Sequence, residues 1–216
     1  GSYKLSGEDA ADYPELPKAT EGQQITLSGH ALSKGITKTL FATSNDEHRL
    51  AMTGVCFDIQ DELLTLVSTD AHKLVRYHIF GTQSKSQGML ILPKKGLNVL
   101  KSLAVGEEAV TMRFNQSHAF FKILDTELIC RLIDQKYPDY NAVIPVNNNN
   151  ILRIEKSVLL HSLKRTAIYA NKSTNQVRLG LSADALTIYS QDLNFSNEAE
   201  EALPCEYEGE ALQISF

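Results

Sequence analysis

Ser68, Asp70 and His72 stand close together in the stretch STDAHKL, and all three are side chains that catalytic or metal sites use. If the chain is extended there, Asp70 and His72 point to one side, as a metal pair requires. No third ligand stands at useful spacing, although His48 and His78 could approach through folding. A serine triad is disfavoured, because residues this close on one turn rarely line up as nucleophile, base and orienting acid. Two interpretations stay open: a metal-dependent hydrolase using Asp70 and His72, or a turn between two strands with Asp70 at its bend.

Other cofactor and membrane signals are weaker. The cysteines, Cys56, Cys130 and Cys205, lie far apart and outside any zinc-binding spacing, so we expect buried, reduced thiols. The sequence has no Gly-rich phosphate loop, and no apolar run approaches the roughly 18 residues of a membrane helix. No charged-then-apolar signal segment follows Gly1-Ser2, which resemble a cloning remnant. These features predict a cytoplasmic protein without a cofactor or a membrane segment.

The elements that must position STDAHKL recur along the chain. A shift of about 127 residues lays Ile25–Asn45 over Leu152–Asn171, and each segment reads as a short strand followed by an amphipathic helix. The pattern predicts that matching apolar residues of both helices face a core. These are Ala31, Leu32, Ile36, Leu40 and Phe41 in the first copy, and Val158, Leu159, Leu163, Ala167 and Ile168 in the second.

Three alternating strands follow each of these helices, so the repeating module is one strand, one helix and three strands. The pattern starts again inside the first copy, where GMLILP begins a second module. A domain is therefore predicted to be two modules in an α+β fold. The phrase YPDYNAVIP at Tyr137–Pro145 is predicted to close one domain, and the related YPELP at Tyr13–Pro17 to close an earlier one.

The charge distribution separates the helices from the rest of the chain. The chain has a net charge of -5, yet the predicted helices at Gly29–Asn45, Lys94–Ala104 and Lys156–Lys172 contain no Asp or Glu. Lysines commonly make a helix soluble, but soluble helices normally mix both signs. Three helices without acids indicate a surface that faces the phosphates of a nucleic acid without reading sequence. The bases of these helices are Lys34, Lys38, Lys94, Lys95, Lys101, Lys156, Lys164, Arg165 and Lys172.

The repeated module, TDAHKL, LPKKGLNVL and YPDYNAVIP together resemble the beta subunit of bacterial DNA polymerase III, the DNA sliding clamp, over essentially the whole chain. The resemblance implies the DNA clamp fold, with antiparallel sheets outside and helices facing the DNA. It implies that residues 1–22 are a cloning remnant and the tail of a first domain, that 23–145 are the complete second domain, and that 146–216 are a linker and the first half of a truncated third domain. The implied DNA-facing residues are Lys34, Lys38, Arg49, Lys94, Lys95, Lys101, Lys164 and Arg165.

The resemblance also implies a non-enzymatic processivity factor with double-stranded DNA as a partner. In the family, two subunits form a ring, and a hydrophobic pocket receives short motifs of the polymerase catalytic subunit, the clamp loader and other clamp-binding proteins. The wall of this pocket corresponds here to Met52, Thr69, Ala71, His72, Lys73, Leu74, Pro138, Ala142 and Val143. The family usually has Gly at Ala71, Arg at Lys73 and often Arg at Ala142. Lys is not an equivalent donor to Arg for orienting a peptide.

Overall fold

The computed structural model describes residues 1–13, 15–18, 23–84 and 87–216. The chain divides into two compact units, Gly1–Val143 and Ile144–Phe216. The boundary between them lies close to the predicted one at residues 145 and 146. The predicted tail of an earlier domain, residues 1–22, lies partly outside the described residues, and its described part holds one short 3-10 turn at Ala10–Asp12.

The first unit contains two strand-helix-three-strand modules. The first module is β1 (Gln23–Ser28), α1 (Gly29–Thr39), β2 (Gly54–Gln60), β3 (Leu63–Thr69) and β4 (Leu74–Phe80). A short strand β5 (Gln83–Ser84) precedes the second module, which is β6 (Gly88–Pro93), α2 (Lys94–Leu103), β7 (Ala109–Phe114), β8 (His118–Ile123) and β9 (Thr126–Arg131). Ser28 begins α1 as its N-cap, where the side-chain oxygen accepts a hydrogen bond from Ala31 N at 3.3 Å.

The two modules exchange their first strands. Strand β1 pairs with β7 of the second module, and β6 pairs with β2 of the first, so the sheets have the orders β5-β1-β7-β8-β9 and β4-β3-β2-β6. All pairings are antiparallel. One core joins both sheets and both helices, with Leu32 and Ile36 of α1, Leu97 of α2, Phe57 of β2 and Phe121 of β8 almost fully buried. Neither module of this unit can therefore bury its apolar face without the other.

The second unit repeats the first module. It contains β10 (Ile151–Arg153), α3 (Lys156–Thr166), β11 (Val177–Ser182), β12 (Ala185–Asp192), β13 (Asn197–Pro204), β14 (Glu206–Glu208) and β15 (Leu212–Ser215), with sheet orders β10-β14 and β13-β12-β11-β15. A buried hydrogen bond marks the equivalence of the two units. Ser68 Oγ donates to Thr39 O at 2.6 Å in the first unit, and Ser190 Oγ donates to Thr166 O at 2.6 Å in the second. The predicted module and its repetition are confirmed.

The helices are shorter than the sequence predicted. Helix α1 ends at Thr39 instead of Asn45 and continues only as a 3-10 turn, Leu40–Ala42. The cause is local competition for backbone groups, since Thr43 Oγ1 donates to Leu40 O at 2.8 Å and Ser44 Oγ accepts from Asp46 N at 3.0 Å.

The same correction applies to the other two helices. Helix α3 ends at Thr166, so Lys172 lies outside it, where the side-chain oxygen of Asn171 accepts a hydrogen bond from Ser173 N at 2.9 Å. Helix α2 ends at Leu103, one residue before the predicted end.

Some predicted core positions are exposed, most of them beyond the true helix ends. Phe41 and Ile168 follow the true helix ends and are 66% and 65% exposed, and Val158 in the first turn of α3 is 38% exposed. Ala167 is also exposed. Leu32 and Ile36 are fully buried as predicted, whereas Ala31, Leu40, Leu159 and Leu163 are only partly buried. The helical period therefore misplaced the core at Phe41, Ala167 and Ile168 beyond the helix ends, and at Val158 in the first turn of α3.

Within the described residues, no helix is both long and apolar enough to cross a membrane.

Candidate functional site

Helices α1 and α2 lie side by side and run in opposite directions. Ser33, near the start of α1, donates to the backbone oxygen of Lys101, near the end of α2, at 3.0 Å. At the other end, Lys94 at the start of α2 donates to Asn45 Oδ1, beyond the end of α1, at 2.6 Å. The two predicted basic helices of the first unit thus form one surface.

The lysines of this pair project away from the core. In α1 the buried positions include Leu32, Gly35 and Ile36, while Lys34 and Lys38 lie on the opposite, exposed face. In α2 Leu97 and Leu100 are buried, and Lys95 is exposed, whereas Lys94 and Lys101 are half-buried. In the part of the chain that the structure describes, none of these five lysines forms an ion pair with an acid. We call the five residues Lys34, Lys38, Lys94, Lys95 and Lys101 the helix-pair lysines.

Two helix-pair lysines are placed where helix stability disfavours them. Lys94 and Lys95 occupy the first turn of α2, whose N-cap is Pro93 and has no side-chain hydrogen bond. The positive end of the helix dipole lies there, and a cation at that end typically costs about 0.3 to 1 kcal/mol. Their positive charge therefore works against the helix that carries it.

The predicted DNA-facing arginines have acidic partners. Arg165 at the end of α3 donates from Nε to Glu201 Oε1 at 2.7 Å, and from a terminal nitrogen to Oε2, which binds it to β13. This hydrogen bonding holds the pKa of Glu201 at about 2. Arg49 donates from Nε to Asp46 Oδ2 at 2.8 Å. Both charges are balanced within the chain, unlike that of Lys164, which is exposed and has no acidic partner among the residues the structure describes. A role on DNA stays a prediction for all three.

The STDAHKL stretch forms the tight turn between β3 and β4. The Asp70 carboxylate accepts hydrogen bonds from His72 N at 3.0 Å, from Lys73 N at 2.9 Å and from the Lys73 ammonium. These bonds, with that of the ammonium as the strongest, hold the pKa of Asp70 well below its usual range. All of these partners lie in the turn itself, so the carboxylate stabilises the turn.

The hydrolase alternative using Asp70 and His72 finds no support. Across the described ranges, no group of three or more His, Cys, Asp or Glu side chains is arranged to hold a metal ion. The interpretation as a turn with Asp70 at its bend is confirmed.

Ala71 occupies a strained position in this turn. Its φ of 76° lies in the left-handed region, which glycine adopts without penalty and alanine does not. Thr69 Oγ1 holds the conformation by accepting from Ala71 N at 3.0 Å and donating to Lys73 O at 2.8 Å. The turn therefore keeps its shape through side-chain hydrogen bonds instead of through a glycine.

Two buried tyrosines fix the segment that carries Pro138, Ala142 and Val143. Tyr137 donates to Val67 O on β3 at 3.4 Å, and Tyr140 donates to Asp58 Oδ2 on β2 at 2.6 Å. Burial, followed by this hydrogen bond, raises the pKa of Tyr140 to about 12. The three predicted wall residues remain exposed, Val143 by 67%. The tyrosines thus hold the backbone so that its apolar side chains face outwards.

Hydrogen bonds of two arginines join the three segments of the predicted wall. Met52 lies in an irregular 3-10 segment, Glu47–Thr53, which Arg49 ties to the turn through Asp70 O at 3.5 Å. Arg76 of β4 donates to Asn141 Oδ1 at 3.4 Å and so reaches the tyrosine-anchored segment. Leu74 is half-buried at the start of β4, opposite Thr69.

The sequence did not predict the residues that position the wall, namely Arg76, Tyr137, Tyr140 and Asn141. The Tyr-Pro phrase was noticed as a boundary marker, but nothing in a single sequence shows which backbone oxygen or carboxylate a tyrosine reaches. The repeated aromatic residue beside proline is the signal that could have suggested an anchor.

Known proteins resemble the chain along its whole length. Two family models match: the central domain of the DNA polymerase III beta subunit at residues 26–139 and its C-terminal domain at residues 141–216. The beta sliding clamp of Synechococcus elongatus is 32% identical over 100% of this chain and 59% of its own length. That of Haemophilus influenzae is 28% identical over 99% of this chain and 58% of its own length. The chain thus spans somewhat more than half the length of these curated relatives.

Solved structures give the same likeness in three dimensions. The DNA polymerase III subunit beta from Pseudomonas aeruginosa superposes with a TM-score of 0.92 at 27% identity, over 97% of this chain and 57% of that one. The corresponding protein from Thermotoga maritima has a TM-score of 0.88 at 24% identity, which speaks for the fold alone. The predicted clamp fold is confirmed.

Proposed function

Since this chain belongs to the family of DNA polymerase III beta subunits, we propose that it is part of a sliding clamp that encircles duplex DNA and tethers a DNA polymerase and other partners to it. The observation that carries the proposal is the pair of adjacent, acid-free helices with five lysines in a chain of net charge -5. We assign the chain no catalytic role, and its work on DNA would take place in the bacterial cytoplasm.

The helix-pair lysines are suited to phosphates and not to bases. Lysine is a point charge on a flexible stem, whereas sequence reading relies on bidentate donors and acceptors placed at base edges. Lys34, Lys38 and Lys95 are exposed and free of acidic partners within the described structure, so their ammonium groups are available to a polyanion. Such contacts give binding that is independent of sequence and strongly dependent on salt, which suits a protein that must move along DNA.

We propose that the wall described above binds short partner motifs. Its exposed apolar members are Pro138, Ala142 and Val143, and two buried tyrosines hold the backbone that carries them. Binding of a partner therefore costs little conformational entropy in this segment. A linear motif with an apolar side chain docks on such a preformed surface through a few anchors. Position 73 carries Lys instead of Arg, and this Lys pairs with Asp70. No guanidinium is therefore available at that position to orient the peptide.

Ring closure between two copies is also part of the proposal. Strand β13 is an edge of its sheet, and the neighbouring side chains Ile168 and Tyr169 are 65% and 44% exposed. In the first unit, β4 is the corresponding sheet edge and Phe41 the corresponding exposed apolar residue. Exposed edges with apolar neighbours favour docking of another sheet edge. A surface repeated in this way supports head-to-tail assembly of like units.

A comparison of two triple variants tests the DNA part of the proposal. One replaces Lys34, Lys38 and Lys95 by Gln, and the matched control replaces the exposed bases Lys122, Arg131 and Lys136, which lie outside the helices, by Gln. Both remove the same charge. Binding to a 20-base-pair duplex is measured between 50 and 200 mM salt.

Each lost phosphate contact lowers the slope of log affinity against log salt by about 0.9. The slope of the helix variant should therefore be lower than that of the parent by roughly 2.7, whereas the slope of the control should stay close to that of the parent. Equal losses in both variants would mean that only the net charge matters and would refute the proposal.

A further inference from the structure

His30 extends the row of lysines on α1. It precedes Lys34 by four residues and Lys38 by eight, so all three lie near one another along the exposed side of the helix. Together with Ser33, Thr37 and Val105 they line a cleft of about 200 Å³. The ammonium groups of Lys34 and Lys38 repel each other at this spacing and destabilise the helix. A bound anion would offset this repulsion.

The chemistry of the cleft selects an anion. Ser33 donates its hydroxyl proton to Lys101 O at 3.0 Å, and Thr37 donates to Ser33 O at 2.8 Å. Among the residues that line the cleft, the donors that remain for a ligand are therefore the two lysine ammoniums and the imidazole of His30. A group with several acceptor oxygens and a negative charge fits this set.

The charges around His30 come from three elements. Positive charge comes from Lys34 and Lys38 of α1, from Lys101 of α2 and from the N-terminal end of the α1 dipole. The segment before β7 contributes two acids, Glu107 and Glu108. Ser28 Oγ lies 3.5 Å from Glu107 Oε2, and Gly29 N donates to Glu108 O at 2.9 Å, which places this segment at the start of α1. An anion in the cleft would add a negative charge on the side of the lysines and favour the imidazolium.

We propose that His30 binds one phosphate of the DNA duplex at this cleft, beside those contacted by Lys34 and Lys38, and that it takes up a proton from solvent when it does so. The inference rests on the proposed function, because it specifies how the same helix pair holds DNA. His30 then adds a third, pH-dependent cation to Lys34 and Lys38. Imidazole is the side chain that changes its charge near neutral pH, so DNA binding tightens as the pH falls from 8 to 6.

Nuclear magnetic resonance of the 216-residue chain with a mixed-sequence 20-base-pair duplex at 50 mM salt tests this directly. The imidazole signals are followed from pH 5.5 to 8.5 with and without the duplex, and His118 of β8 serves as the internal control. We expect the titration midpoint of His30 to move to higher pH with DNA while that of His118 stays in place. One additional phosphate contact steepens the salt slope by about 0.9, so the affinity at pH 6 should change about 3.5-fold more between 50 and 200 mM salt than at pH 8.

Two variants sharpen the test. His30→Gln should bind as the parent does at pH 8 and lose the tightening at pH 6, whereas His30→Lys should bind at pH 8 as tightly as the parent does at pH 6. If the signals of the helix-pair lysines respond to DNA while that of His30 does not, the cleft proposal is wrong and the proposed function stands. If no signal of either helix responds, both are overturned.

Discussion

Reversing the charge of Lys95 should stabilise the fold while it weakens DNA binding. Lys95 is exposed in the first turn of α2, next to an N-cap, Pro93, without a side-chain acceptor. Replacement by Glu removes an unfavourable interaction with the helix dipole and adds a favourable one, each about 0.3 to 1 kcal/mol. Because the site is exposed, we take the lower part of that range and expect the free energy of unfolding to rise by about 0.5 to 1 kcal/mol. For a chain of this size, that corresponds to an increase in Tm of roughly 1 to 4 °C.

Lys38→Glu is the matched control. Lys38 lies in the last turn of α1, where a cation is favourable, so the same charge reversal should lower the free energy of unfolding by about 0.5 to 1 kcal/mol. If Lys38 and Lys95 each contact a phosphate as proposed, both variants lose one such contact and add a repulsive charge. Both should then weaken duplex binding several-fold at 50 mM salt and lower the salt slope by at least about 0.9.

Thermal unfolding and duplex titration of the two variants separate stability from binding. Opposite changes in Tm with parallel losses of DNA affinity would support a lysine surface kept for DNA. If Lys95→Glu lowers the Tm, or if it leaves DNA binding unchanged, the reasoning about α2 is refuted.

Three further results are expected. Ala71→Gly should raise the free energy of unfolding by about 0.5 to 1 kcal/mol in urea titrations, because Gly relieves the φ of 76°, and no gain would show that the turn is unstrained. Tyr140→Phe should lower it by about 1 kcal/mol through loss of the hydrogen bond to Asp58, and should weaken calorimetric binding of a clamp-binding peptide, whereas unchanged peptide affinity would contradict the anchoring role. Asp70→Asn should be less stable than the parent at neutral pH, and this difference should shrink below pH 4. The stabilisation linked to the lowered pKa of Asp70 is present above the ordinary carboxyl pKa, and it is lost as the pH falls through the pKa of Asp70 in the folded state. A difference that is constant down to pH 2 would contradict this.

The repeat explains why much of the fold could be predicted from the sequence. The apolar spacing around Leu32 and Ile36 recurs about 127 residues later, and the same module follows both times. The exchange of β1 and β6 between modules could not be predicted, because strand pairing depends on contacts between residues far apart in the chain. The ends of α1 and α3 were missed because Thr43, Ser44 and Asn171 form local hydrogen bonds that compete with the helix.

The candidate site was predictable to a similar degree. An absence of acids is visible in the amino-acid sequence, so the helix-pair lysines could be identified from the sequence alone. The pairing of Arg165 with Glu201 could not, since its partner lies on another element 36 residues away. The anchoring of the wall by Tyr137 and Tyr140 likewise depends on positions on β3 and β2 that only folding brings close.

Photo-cross-linking from the DNA backbone tests the central proposal most directly. A duplex carrying azidophenacyl groups on single phosphates is irradiated with the chain, and the cross-linked peptides are identified by mass spectrometry. The proposed function predicts cross-links to α1 and α2, around Lys34, Lys38 and Lys95. These should form at whichever position of the DNA duplex the modified phosphate lies. Cross-links concentrated on the strands, such as β8 and β9, would contradict a DNA-facing helix pair.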